Sequence, residues 1–162
     1  MAFKRAQVEA WTTSTFPGER LVSLVPTGQG NGNAGYYNSP EDRRRRLLVE
    51  QLALDPDGIT GAGYGTTFFV LTEQRLALGT RSSVRNRPKD LLHSAPVDGV
   101  RVWWFDHDAG AGNLHRHFVT DFGDGRWRAD YTGLAALGRR LGSNADDFVA
   151  ALGERATEAT GV

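Results

Sequence analysis

The chain has 162 residues, which is enough for one domain of ordinary size with its own hydrophobic core. Its 19 basic and 19 acidic residues cancel, so no overall field draws it to nucleic acid, and the lack of cysteine excludes disulfides, thiol catalysis and cysteine-ligated zinc. No segment approaches the roughly 20 uninterrupted apolar residues that cross a membrane. We therefore expect a single cytoplasmic domain with no transmembrane segment and no nucleic-acid partner.

Residues 1–63 predict two helices and one strand. A short helix over residues 3–12 precedes an alternating apolar segment at 19–27, which is typical of a strand. Ser39 then begins a helix that extends to about residue 54, because a capping serine, a proline at the first helical position and acids in the first turn are typical of a helix start. The side chains predicted to face inward are Leu47, Leu48, Gln51 and Leu52.

Residues 43–46 of that helix are four consecutive arginines. At about 100° per residue their side chains spread around the helix, and acids lie four positions away, as in the pair Glu41 and Arg45. A nucleic-acid site requires cations gathered on one side. The arginine run therefore predicts a solvated helical face.

The pattern changes at residues 64–155, which predict a β structure followed by a capping helix. Short β segments with no helix between them predict an antiparallel meander. These segments are 64–72, 74–81, 91–97, 100–108, 114–122 and 126–131. A helix follows, with Ser143 and Asp146 as a predicted capping box. Its predicted apolar face consists of Ala145, Phe148, Val149 and Leu152. Residues 156–162 are predicted to form a flexible tail.

Two glycine motifs look like parts of nucleotide-binding proteins. Asp121-Phe122-Gly123 matches a kinase motif, but the lysine and His-Arg-Asp partners are missing, and the following Asp-Gly between alternating segments predicts a hairpin turn. A G-x-G-x-x-G motif at Gly30, Gly32 and Gly35 ends four residues before the helix start rather than inside the helix. We interpret residues 28–38 as a flexible loop, with a backbone nest for an anion as the alternative.

The order of features over residues 68–155 resembles the bacterial pleckstrin-homology-like (PH-like) domains. The matching stretches are FFVLTEQRLAL (68–78), SAPVDGVRV (94–102), FGDG (122–125) and NADDFVAAL (144–152). This resemblance implies an α+β, mainly β fold: a bent antiparallel barrel of about seven strands, capped by the C-terminal helix. It also implies a binding domain of a kind that is commonly not catalytic and often forms homo-oligomers. We expect no cofactor. The helix at 39–54 would be an addition to that fold.

Trp103, Trp104 and Phe105 place large aromatic side chains on both faces of one predicted strand. One face fills the core, and the other needs a cover. That cover is either the 39–54 helix, the N-terminal segment or a second protein. The leading functional hypothesis is a non-enzymatic interaction module that binds a protein partner or its own copies through these aromatics.

Arg81, Arg85, Arg87 and Lys89 lie in one connection that contains no acid. In an extended segment the last three project to the same side, and arginine forks bind phosphate groups well. Binding of anionic phosphate or lipid head groups through residues 81–89 is therefore the second hypothesis. The alternative is a solvated loop.

The predicted hairpin at 106–117 carries Asp106, His115 and His117. If Asp108 opposes Asn113, Asp106 opposes His115 on the face that also holds His117. Two histidines and a carboxylate could hold zinc, so the third hypothesis is a small barrel enzyme or metal-binding protein. An ordinary Asp–His pair is the alternative, and no sequence motif indicates catalytic residues.

Overall fold

The computed structural model describes residues 3–29 and 39–162, and these form a mainly β protein. Its helices are α1 (Arg5–Thr15), α2 (Pro40–Gln51) and α3 (Ala145–Leu152). The strands of the same residues are β1 (Leu21–Gln29), β2 (Thr66–Thr72), β3 (Arg75–Arg81), β4 (Pro88–Pro96), β5 (Arg101–Gly110), β6 (Asn113–Asp121), β7 (Trp127–Ala136), β8 (Arg139–Arg140) and β9 (Ala156–Glu158). No helix among the described residues is long and apolar enough to cross a membrane.

The nine strands form one mixed sheet in the order β4-β3-β2-β1-β7-β6-β5-β9, with β8 beside β7. The predicted antiparallel pairing is confirmed for the hairpins of β2, β3 and β4 and of β5, β6 and β7. Strand β9 is parallel to β5. The expected bent barrel of about seven strands is not confirmed: in the described part of the chain the sheet is not closed, because β4 and β9 lie at its opposite ends and do not pair with each other.

The two halves of the sheet meet at a very short junction. Among the described residues strand β1 pairs with β7 through two positions, Gly28 opposite Tyr131 and Gln29 opposite Asp130. A Cβ atom at Gly28 would lie 3.3 Å from Cε1 of Tyr131, so a side chain there would press on the ring. Beyond this junction β1 continues beside β2, and β7 continues beside β6.

The main core is built jointly by both halves of the sheet and α3. Phe148 of α3 packs against Phe69 of β2 and edge-to-face against Phe118 of β6, with ring centroids 6.1 and 5.8 Å away. Two further clusters bury the remaining sheet faces. Helix α1 covers Phe68 and its neighbours on β1–β3, and α2 covers Phe105 and its neighbours on β5–β7.

Helix α2 begins as predicted but buries a different face. Ser39 caps it by accepting the backbone N–H of Asp42 at 3.1 Å. Leu48 is buried, whereas Leu47 is 47% exposed and Gln51 is also exposed. Asp42 and Arg45 are buried in their place, so the prediction of a fully solvated arginine run is wrong. The reason is that α2 rests on the polar half of the β5–β6 hairpin.

The C-terminal region also differs from its prediction. Ala145, Phe148 and Leu152 are buried as expected, but the predicted capping box does not form: the N-cap is Asn144, in the left-handed conformation at φ 58°, without a side-chain cap. Residues 156–158, expected within a flexible tail, form β9. The backbone N–H of Ala159 then donates to the Trp104 carbonyl at 2.7 Å.

The kinase-like motif, residues 121–123, lies at a hairpin turn, as predicted. Asp121 ends β6 and accepts the N–H of Gly123 at 2.9 Å, while Asp124 accepts the N–H of Arg126 at 3.1 Å. Gly123 has a φ of 80°, and a side chain there would overlap the Gly99 carbonyl. The motif at Gly30, Gly32 and Gly35 lies outside the described residues.

Deleting residues 156–162 tests whether this segment is a strand. We expect the free energy of unfolding to fall by on the order of 2 kcal/mol, because the deletion removes the β9 backbone bonds and uncovers apolar surface of β5. Urea denaturation followed by tryptophan fluorescence measures the change. Thr160→Ala, at an exposed position, serves as the control. An unchanged midpoint in the deletion would show that the segment contributes nothing to the fold.

Candidate functional site

The aromatic strand predicted as an interface is packed within the chain. Phe105 is 2% exposed and lies under the guanidinium of Arg44, 4.3 Å from the ring centroid. Trp103 packs in the same cluster with α2, and Trp104 packs on the main core with Arg116 over its ring at 4.2 Å. The cover that the sequence required is thus supplied by α2 and the C-terminal residues of the same molecule.

The β5–β6 hairpin pairs one residue away from the predicted register. Asp106 opposes Arg116, not His115, and His117 opposes Phe105. Because neighbouring strand residues point to opposite faces, this slip moves Asp106 to the face opposite the two histidines. There its carboxylate receives two hydrogen bonds from Arg116, at 2.7 and 2.8 Å. The predicted zinc group of Asp106, His115 and His117 therefore does not form.

Helix α2 brings a different carboxylate to the histidines. Oε2 of Glu41 lies 2.8 Å from Nε2 of His117 and 3.1 Å from Nδ1 of His115. The other ring nitrogen of His117, Nδ1, lies 2.8 Å from Nη1 of Arg45, which also pairs with Asp42. We call these five residues the Glu41 cluster. Glu41, His115 and His117 place three potential metal-binding atoms within 4.8 Å of one another.

Hydrogen-bond chemistry sets the proton positions in the Glu41 cluster. An arginine guanidinium can only donate, so Nδ1 of His117 accepts from Arg45 and the ring proton resides on Nε2. That N–H then donates to Glu41, and His115 donates through Nδ1 in the same way, because an ionised carboxylate only accepts. A zinc ligand needs a free lone pair on the nitrogen that faces the metal. His117 cannot offer one while Arg45 holds its other nitrogen, so this arrangement does not suit zinc.

The charges of the Glu41 cluster respond to burial and to each other. Burial and the adjacent Arg45 guanidinium lower the pKa of His117 to about 3, so this histidine is neutral at pH 7. Burial by itself would raise the pKa of Glu41, but the hydrogen bond from His115 and the other histidine contacts outweigh it and lower that pKa. Burial also lowers the pKa of Arg45. The cluster thus places an ionised Glu41 carboxylate beside a neutral His117 imidazole.

The four predicted anion-binding cations separate into two groups. Arg81 turns inward and donates to the carbonyls of Thr67 and Thr27. Arg85, Arg87 and Lys89 are exposed, and their side chains have no ion pair or hydrogen bond among the described residues.

Comparison with known proteins does not assign the chain to a family. No protein-family model matches it, and no curated protein matches it.

Sequence reasoning missed Glu41 and Arg45 as partners of the histidines. Both residues lie more than 60 positions from His115 and His117 in the chain, and their contacts arise only when α2 packs on β6. The one available signal was the large number of charged residues in α2, and that pattern is also typical of an exposed helix.

The His117 pKa predicts acid sensitivity of the fold. The unfolded chain takes up a proton near the ordinary histidine pKa of about 6.5, whereas the native state does so only near pH 3. Stability is therefore full above about pH 6.5 and falls by about 1.4 kcal/mol per pH unit as the pH drops through this window. The lowered Glu41 pKa adds a loss in the same direction below about pH 4.5.

Urea denaturation at several pH values between 7 and 4 measures this slope. The amide of His117→Gln can still accept from Arg45 and donate to Glu41, but it does not titrate. This variant should therefore lose the part of the slope that corresponds to the uptake of about one proton. Leu48→Ala, which weakens the packing of α2 without a titrating group, should retain it. A His117→Gln slope equal to that of the wild type would contradict the proton assignment.

The same proton positions predict that zinc does not bind stoichiometrically to the wild-type protein. Arg45→Gln should create zinc affinity, because a glutamine oxygen can accept the Nδ1 proton of His117 and leave Nε2 free as a ligand. Calorimetric titration of the untagged protein checks both statements. Tight stoichiometric binding to the wild type that is lost in His117→Gln would overturn them.

Proposed function

We propose that the protein is a non-enzymatic module that binds anionic lipid surfaces through the β3–β4 loop, residues 82–87. The observation that carries this proposal is the composition of the loop tip. Val84 is 85% exposed, and near it lie Arg85, Arg87 and Lys89, whose side chains have no partner among the described residues. An apolar tip among free cations suits a membrane interface, where the side chain enters the head-group layer and the cations meet phosphates.

The loop is held in one shape by its own hydrogen bonds. The backbone N–H of Ser82 donates to the Arg87 carbonyl, and that of Asn86 donates to the Ser82 carbonyl, both at 2.8 Å. The hydroxyl of Ser82 accepts from the N–H of Arg85 at 3.1 Å. A preorganised loop loses little conformational freedom on binding, which favours affinity.

The arrangement of strands supports this proposal. Two groups of antiparallel strands share a core with a C-terminal helix, as in the PH-like resemblance of the sequence. We propose that the protein is an open variant of that fold, with α1 and α2 added on its outer faces. In this resemblance the β3–β4 loop takes a place on the rim, where those PH-like domains that bind head groups hold their lipids.

Co-sedimentation with vesicles tests the proposal. We expect binding to vesicles that contain phosphatidylserine, weaker binding at high salt, and little binding to neutral phosphatidylcholine vesicles. Replacing both Arg85 and Arg87 with alanine should cost about 2 kcal/mol, or about 30-fold in affinity, because each cation near an anionic surface contributes about 1 kcal/mol. Val84→Thr, which keeps the shape but not the apolar character, should weaken binding without changing the salt dependence.

The matched control replaces Arg139 and Arg140 with alanine. These two exposed arginines lie at β8, so the change removes the same charge from another part of the surface. Equal losses in both double variants would show diffuse attraction instead of a site at the β3–β4 loop. Equal binding of the wild type to neutral and anionic vesicles would also overturn the proposal.

A further inference from the structure

An open groove of about 570 Å³ lies where β1 and β7 separate. Thr27 and Gly28 line it from β1, and Tyr131 and Thr132 line it from β7. Arg81, Asn86 and Ser143 also contribute polar groups to its wall. This volume falls in the range of about 300–1,000 Å³ that is typical of small-molecule sites.

Arg81 enters the groove wall with part of its hydrogen-bonding capacity unused. Its Nε atom donates to the Thr67 carbonyl at 2.7 Å, and its Nη2 atom donates to the Thr27 carbonyl at 3.1 Å. Its Nη1 atom donates to Oδ1 of Asn86 at 2.7 Å. A guanidinium has five N–H groups, so two remain, one on each terminal nitrogen. The three bonds hold the side chain in place while these two donors stay available.

The charge of Arg81 also lacks a counter-ion. Arg75, Arg116 and Arg128 each form an ion pair with a carboxylate. Within the described residues Arg81 forms none, and burial lowers its pKa with no acid to oppose that shift. A partly desolvated cation without an anion is electrostatically unfavourable unless a ligand supplies the negative charge.

Three hydroxyl groups of the groove are likewise without partners. The hydroxyls of Thr132, Ser143 and Tyr131 have no hydrogen bond to any described residue. Their oxygens are not among the buried side-chain atoms that lack a partner, so they are open to the groove, where a ligand can reach them. Together with Arg81 these groups form a wall with several unused donors beside one uncompensated positive charge.

We propose that this groove binds a phosphate monoester, with the phosphoryl group on Arg81 and the remaining polar groups of the ligand on Thr132, Ser143 and Tyr131. A phosphate monoester offers three terminal oxygens, which suit paired N–H donors and nearby hydroxyls. The phosphoryl group can belong to a soluble metabolite or to a lipid head group. This site does not depend on membrane binding by the β3–β4 loop, because its residues are separate from Val84, Arg85 and Arg87.

Amide NMR of the full chain tests the groove with glycerol 3-phosphate as the probe and glycerol as the uncharged control. We expect the phosphate ester, and not glycerol, to shift the amides of Gly28, Thr132 and Ser143. Thr132→Val should weaken binding by about tenfold through the loss of one hydrogen bond. Its urea midpoint should not fall, because the hydroxyl has no partner in the described part of the chain.

Two further variants keep the test decisive. Arg81→Lys retains the charge but loses the paired donors and should also weaken binding. Thr157→Val, at an exposed threonine of β9, should titrate like the wild type. Shifts confined to residues outside the groove, or wild-type affinity in both Thr132→Val and Arg81→Lys, would overturn the proposal.

Vesicles that contain phosphatidic acid identify the source of the phosphoryl group. If it belongs to a lipid, Thr132→Val should weaken vesicle binding as well as glycerol 3-phosphate binding. If it belongs to a soluble compound, only the latter should change. The variant that lacks Arg85 and Arg87 should still bind glycerol 3-phosphate, so failure of membrane binding and failure of the groove are separate results.

Discussion

The main constraint on this structure is that strand β5 carries large apolar side chains on both faces. Val102 and Trp104 belong with the main core, whereas Trp103 and Phe105 need a second cover. Burial of such side chains contributes about 1.5–3 kcal/mol each, so leaving the second face in water would be costly. Helix α2 and the last residues of the chain provide that cover, and the parallel pairing of β9 with β5 follows from it.

This packing also explains the unusual polar cluster beneath α2. The outer face of β5–β6 is apolar at Phe105 but polar at His115 and His117, so a helix that covers one part must accommodate the other. Glu41 and Arg45 satisfy the histidines, and Asp42 neutralises Arg45. Removing one partner of such a group leaves an uncompensated buried charge. The cluster therefore links the docking of α2 to the protonation of one histidine.

Arginines with and without partners distinguish the structural part of the surface from the part available to ligands. Arg116 and Arg128 are paired with carboxylates, and Arg128 also donates to three loop carbonyls between residues 60 and 64. Among the described residues Arg81 has no counter-ion, and the side chain of Arg85 has no partner. In a chain of zero net charge, these local imbalances are the features that point to anionic ligands.

The sequence by itself determined the features that depend on neighbouring residues: the Ser39 cap, the alternating strands, the hairpin turn after Asp121 and the buried face of α3 around Phe148. Tertiary structure alone decided the open sheet, the order of its two halves and which arginines are buried. It also decided the one-residue register of the β5–β6 hairpin, where Gly110, Ala111 and Gly112 all have positive φ and set a turn that alternation does not specify. Contacts between Glu41 and His117, or Arg81 and Thr27, join segments far apart in the chain, so no local pattern encodes them.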